Sequence, residues 1–318
     1  MTGVNNKYRG DEDEIREGYD QWIQYSAKQR KKKLPGIIMI ILPFFILAAY
    51  VFFIAGKREV PAPLPAAGIV LAAGLLAGGV LLNNKRIREH NAALARFREY
   101  QCRMNTMLQT EVFGVPVKTG ADDVKAPESV MPGMADRLAG NSEWRDWSWT
   151  LSLCSEFVYR DSVIRFCGYR ALSRRDGPDS SRQELIQGSF LMIDVKRRYS
   201  VPHELHILAR KKEDFSQPDP LARTYAGSRE YPDSAACIPR PVADAVMGIR
   251  DDFRRSIISQ AWITKFGTFY FDMNGWGPET VSNESYEETR DILRDMYQYL
   301  RKLTDACIDM VQTQEDPE

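Results

Sequence analysis

The chain has 318 residues, room for about two domains at ~150 residues each. Its 44% hydrophobic and 27% charged residues exclude a chain disordered throughout or a collagen-like repeat. Lys+Arg 43 balance Asp+Glu 43, so net charge makes no case for a nucleic-acid partner, and the mean hydropathy of -0.39 is that of an ordinary polar chain. The five cysteines, Cys102, Cys154, Cys167, Cys237 and Cys307, are widely spaced and form no CxxC pair. That excludes a disulfide framework or a zinc site by spacing and suits a reducing compartment.

Residues 1–33 read as one N-terminal amphipathic helix. Ile15, Tyr19, Trp22, Ile23 and Tyr25 recur at nearly helical spacing, acids lead, and basic residues close the segment in the sense that complements the helix dipole. Two uncharged apolar runs follow, 34–56 and 64–82. As helices they reach about 34 Å and about 28 Å, against a hydrocarbon core of ~30 Å. The first run is too long, and begins too far into the chain, for a signal peptide. A short proline-stiffened connection makes residues 34–82 an antiparallel transmembrane hairpin on this reading. Lys28, Arg30, Lys31, Lys32 and Lys33 precede it and Lys85, Arg86 and Arg88 follow, whereas the loop offers Lys57 and Arg58. The bias predicts that both termini are cytoplasmic. Gly74 and Gly78 form a GxxxG pair, the expected position of close helix packing or self-association.

Residues 83–141 read as a stalk helix to about Val112, stopped by the Phe-Gly-Val-Pro of 113–116, and then a Gly/Pro-rich linker. The remainder, 142–318, has the pattern of an α+β domain: an antiparallel sheet packed with helices. Residues 151–159, 163–172, 185–195 and 204–209 suit strands, and a meander is the simplest topology. The third of these strands is apolar on both faces, which predicts a central position. Residues 213–231 read as a loop, 241–253 as a helix, and 257–273 as a hairpin around Phe266-Gly267. The final helix carries the stripe Ile292, Leu293, Met296, Tyr299, Leu300, Leu303, Cys307 and Met310, opened by a capping box of Ser285 and Glu288.

Few residues suggest chemistry. No Walker-type loop, GxGxxG or GxSxG occurs. His203-Glu204-Leu205-His206 resembles a zincin fragment, but its histidines are three apart in a strand and face opposite ways. Asp272 near a strand end reads as the cap of the following turn. No catalytic, cofactor-binding or metal residues are assigned. A meander would gather Arg174, Arg175, Arg182, Arg210, Lys211 and Lys212 at one sheet edge, a candidate contact for anionic headgroups or an acidic partner. Trp147 and Trp149, in a segment holding half the tryptophans, are candidate partner contacts, with core packing as the plainer alternative.

The layout also resembles a bacterial family of uncharacterised two-span membrane proteins with a cytoplasmic α+β domain, sometimes called galanin-like. The resemblance lies in Phe157-Val158-Tyr159, in the segment 188–194 (Gly-Ser-Phe-Leu-Met-Ile-Asp), in 231–239 leading into a helix, in Tyr270-Phe271 and in the terminal helix. It implies this architecture and a bacterial inner (plasma) membrane, with no activity and no site residues. Sequence and resemblance together predict an integral membrane protein of non-enzymatic type. Its partners would be the lipid bilayer and either a protein or a second copy through the hairpin. The alternatives are an enzyme on a membrane-associated or phosphorylated substrate and an accessory subunit of a transport or secretion complex.

Overall fold

A computed structural model describes residues 5–53, 63–120, 131–134, 137, 148–172, 185–196, 204–210, 212–253, 258–274 and 285–313. The chain divides into two compact units, Asp13–Tyr100 on the one hand and Met1–Glu12 with Gln101–Glu318 on the other.

The first unit is built from two long helices, α1 (Asn5–Phe53) and α2 (Pro63–Phe113), which also run into the second. Its packing is aromatic. Tyr19 meets Phe97 edge-on at 4.9 Å, Trp22 stacks on Phe97 at 4.7 Å, and Tyr25 stacks on His90 at 6.2 Å. Gly18 is the close-approach position: a Cβ there would overlap the Tyr100 ring. Offset and edge-on ring pairs of this kind add ~0.5–1.5 kcal/mol beyond the area they bury.

This arrangement corrects the transmembrane reading. Among the described residues, no helix is long and apolar enough to cross a membrane. The apolar runs are not separate spans. Each is one section of a helix of 49 or 51 residues that also carries strongly charged turns, and α1 passes through Pro43 without a break. Residues 54–56 of the first run and 57–62 of the connection lie outside the described residues. The transmembrane hairpin, the integral-membrane function drawn from it and the inner-membrane location are therefore not supported.

The second unit is α+β around one eight-stranded antiparallel sheet. The strands are β1 (Lys118–Thr119), β2 (Ser148–Tyr159), β3 (Ser162–Leu172), β4 (Leu185–Asp194), β5 (Leu205–Ala209), β6 (Tyr225–Gly227), β7 (Gln260–Ile263) and β8 (Thr268–Asn274), in the order β1-β2-β3-β4-β8-β7-β5-β6. The first three strands of the expected meander pair as read, but the fourth does not follow. β8 takes the place beside β4, from Gly188↔Asn274 to Asp194↔Thr268, and β7 stands between β8 and β5. The physical reason is burial. β8 carries Phe269, Phe271 and Met273 on one face and Tyr270 and Asp272 on the other, all buried, and a strand covered on both sides belongs in the interior of a sheet. β4 is likewise central, with Phe190, Leu191, Met192 and Ile193 all buried.

The segment 213–231, expected as a loop, holds α3 (Pro220–Thr224), capped by the Asp219 carboxylate at 2.8 Å from the Leu221 N–H, and the edge strand β6. A one-turn helix α4 (Ser234–Cys237) leads to α5 (Arg240–Phe253), which packs on the C-terminal helix α6 (Tyr286–Thr313). The capping box forms at the start of α6: Glu288 N–H donates to Ser285 Oγ at 3.3 Å, and Ser285 N–H donates to Glu288 Oε2 at 3.1 Å. The stripe of α6 covers one sheet face together with the end of α2. Phe166 meets Tyr297 at 5.9 Å, Tyr297 donates to Asn105, and Arg301 donates to the Val112 carbonyl at 2.6 Å. The opposite sheet face carries Leu151, Cys167, Tyr169, Phe190, Trp262 and Tyr270, covered by Met131 and Met134.

Candidate functional site

Of the six basic residues expected at one sheet edge, Arg210 and Lys212 are described. Arg174, Arg175, Arg182 and Lys211 lie outside the described residues. Arg210 directly follows β5, which β7 and β8 separate from β4. Arg210 is also occupied. Its Nε donates to the carbonyls of Ala222 at 3.0 Å and Tyr225 at 3.3 Å, bracing the turn from α3 into β6. Lys212 is exposed.

Trp149 is buried, its ring 5.8 Å from that of Tyr169, which fits the core alternative and not an exposed contact. Trp147 lies outside the described residues. Gly74 is exposed, and a Cβ on it would meet nothing within 4 Å, so it does not mediate close helix packing within this chain. Gly78 is half-buried.

Sequence reading missed the main polar constellation of the sheet. The turn that Asp272 was expected to cap lies outside the described residues. Asp272 sits in β8 pointing into the sheet face, 1% exposed. Tyr169 donates its hydroxyl to Asp272 Oδ1 at 2.7 Å, and Ser259 Oγ donates to Oδ2 at 2.5 Å. Burial pushes the Asp272 carboxyl up to about 6, against the pull of hydrogen bonds from Ser259, Tyr169 and Gln260. Burial, then the neighbouring Asp272 carboxylate, pushes the Tyr169 phenol well up as well.

Gln260 carries the network outward. Its Oε1 lies 3.2 Å from His206 Nε2, and the His206 ring stacks on Trp262 at 4.7 Å. Burial lowers the His206 value, and the Arg137 charge adds to this while Gln260 opposes it. Arg137 donates to Glu204 at 3.0 Å and lies 4.0 Å over the Tyr270 ring, whose hydroxyl donates to the Pro132 carbonyl at 3.2 Å. Glu204 thus pairs with an arginine, and among the described residues no group of three or more His, Cys, Asp or Glu could hold a metal ion. Both Asp272 oxygens accept from internal donors, so the network ties β3, β8 and the entry to β7 together. The sequence signal that could have found it is the alternation in β8, where Asp272 falls in phase with buried Tyr270.

The other distinctive surface is on the two-helix unit. Ile41, Leu42, Phe44 and Phe45 of α1 and Val70, Val80, Leu81, Leu82 and Ile87 of α2 are exposed, Phe45 to 68% and Leu81 to 70%. Among the described residues, the sheet unit adds only Val158, Leu172, Phe215 and Phe266 to this class, scattered singly. Contiguous exposed apolar side chains mark a contact surface; isolated ones do not.

The fold is that of an α+β protein with a separate two-helix unit. No family model, no curated protein and no solved structure matches the chain.

Proposed function

We propose that this chain is an assembly protein that associates with a second copy of itself through the α1–α2 unit. The observation that supports this is the concentration of exposed large apolar side chains on both helices of the unit. Two helices can bury one stripe each against the other. Apolar side chains that point elsewhere need another layer. The same unit of a second copy supplies a layer of matching length and the same chemistry, and two such pairs make a four-helix bundle, an isologous contact. Leu42 and Phe45 on α1 and Leu81 on α2 are the residues this contact would cover.

Sedimentation velocity on the full chain tests it, comparing the native sequence with a Leu42→Glu, Phe45→Glu, Leu81→Glu variant. A concentration-dependent dimer that the variant shifts to monomer by at least tenfold in dissociation constant supports it. A native chain that stays monomeric, or that binds lipid vesicles through these residues while staying monomeric, overturns it.

A further inference from the structure

The residues of β2 before and after its bulge face opposite ways for their number. Trp149 and Leu151 lie on the sheet face that carries Tyr169 and Cys167. Strict alternation would place Leu153 there next and turn Cys154 to the opposite face. The register instead shifts between Ser152, paired with Gly168, and Ser155, paired with Phe166. Two residues, Leu153 and Cys154, thus stand against the single residue Cys167, as in a β-bulge. Leu153 takes up the irregularity with a φ of 50°, in the left-handed region.

The consequence is a change of phase. After the bulge the even-numbered side chains share the face of Cys167. Glu156, two residues on, pairs with Arg165 at 2.6 Å, and Arg165 lies beside Met192 of the same face. Cys154 accordingly packs on the cluster containing Cys167. Cys167 is fully buried and Cys154 half-buried, so only one of the pair meets solvent. Directly opposed cross-strand Cβ atoms lie ~4.5–5.5 Å apart, about an ångström beyond the usual disulfide separation of ~3.8 Å. A bulge is where the ladder yields by that amount most readily.

We infer that Cys154 and Cys167 form an oxidant-responsive dithiol, which a hydroperoxide converts to a disulfide across the β2–β3 bulge. The half-buried partner, Cys154, reacts first. The Cys154 thiolate attacks one peroxide oxygen, the O–O bond breaks, and the other oxygen leaves as water or an alcohol, so that Cys154 becomes a sulfenic acid. Cys167 Sγ then attacks Cys154 Sγ. Cys167 loses its proton, and the sulfenic oxygen departs as water. Two thiols have given up two electrons and two protons, and the peroxide has taken them. Burial pushes the Cys167 thiol well up, so Cys167 enters the second step as a thiol that must give up its proton.

The test uses the full chain with Cys237→Ser, which removes an exposed thiol, treated with a small excess of hydrogen peroxide. Arg160 and Arg165 lie between the two cysteines, so trypsin separates them unless a disulfide joins them. The expected result is a linked Cys154–Cys167 peptide pair, lighter by two hydrogens and released by dithiothreitol. In a Cys167→Ser variant, dimedone should trap Cys154 as its sulfenic acid. Two free thiols after treatment, or Cys154 driven to sulfinic acid while Cys167 stays free to alkylate, would overturn the inference. The first measurement decides even if the Cys167→Ser chain does not fold.

Discussion

Tyr169 on β3 donates its hydroxyl to Asp272 on β8 at 2.7 Å, reaching over the strand β4 that separates them. The β4 residue paired with Tyr169 is Gly188, which has no side chain to block the ring. A side chain at that position would rise on the same sheet face, beside the Tyr169 ring. Gly188→Val is expected to break the bond and leave a buried carboxylate short of a donor, at a cost of ~1–3 kcal/mol. Chemical denaturation with urea checks it, with Tyr169→Phe as the comparison that removes the same bond without adding bulk.

The Asp272 carboxyl titrates at about 6 in the folded protein, above its ordinary value of 3.8. The folded state therefore holds this proton more tightly than the unfolded chain. The resulting stabilisation is present below about pH 4 and lost as the pH rises through about 6, at most about 3 kcal/mol. His206 has the opposite sense. Its lowered value favours the neutral ring, so its contribution is present above the ordinary value of 6.5 and lost as the pH falls below it. The stability of the native chain relative to Asp272→Asn should fall between pH 4 and 6, and relative to His206→Gln it should rise with pH. Unfolding curves across that range, taken pairwise, separate the two.

The β2–β3 turn places Arg160 and Asp161 at φ of 49° and 61°, both left-handed. Two-residue hairpins with this backbone favour Asn-Gly. Asp161→Gly should relieve the local cost and stabilise the protein by ~0.5–1 kcal/mol. Arg160 is the wrong residue to change, because its guanidinium reaches Asp305, Asp309 and Gln312 of α6. A thermal melt of the single variant is sufficient.

Ser285→Ala removes one half of the capping box of α6 and should cost ~0.5–2 kcal/mol. Glu288 then keeps its place but loses a donor, so Ser285→Asp, which restores an acceptor for the Glu288 N–H, should recover part of the loss. Urea unfolding of the two variants checks the order.

Local signals were readable where a residue and its neighbours in sequence decide the outcome. The cap at Ser285, the stripe of α6 from Leu293 to Met310 and the two-faced apolar pattern of β4 are of this kind. Sheet order was not, because the pairing of Leu191 with Phe271 joins residues far apart in the chain, and no local pattern distinguishes β8 from β5 as the neighbour of β4. The bulge was hidden for a related reason. Alternation read from Trp149 gives the wrong face for Cys154, and only the pairing with β3 exposes the extra residue. The apolar runs misled in another way. Hydropathy scores a run without reference to the helix it belongs to, and here each run is one section of a helix whose other section carries the charged residues. In the polar face, Asp272 was legible as a carboxylate near a strand end, but its partners Tyr169 and Ser259 come from other strands and loops.

Gly18 is the residue at which the two-helix unit itself is most sensitive. A Cβ there overlaps the Tyr100 ring, so Gly18→Val should cost ~1–3 kcal/mol through overpacking and loosen the pairing of α1 with α2. Hydrogen exchange localised to residues 15–29 and 87–100 reads the loss directly.

Association through the two-helix unit is tested most directly by crosslinking between chains. Leu81→Cys, in a Cys237→Ser background and mixed from tagged and untagged chains, should give a covalent dimer containing one of each on mild oxidation. Phe215→Cys, at a position of the sheet unit exposed to 75%, should not. A mixed dimer from Leu81→Cys alone is the result expected if two such units pack together. No mixed dimer, or equal yields from both positions, would contradict it.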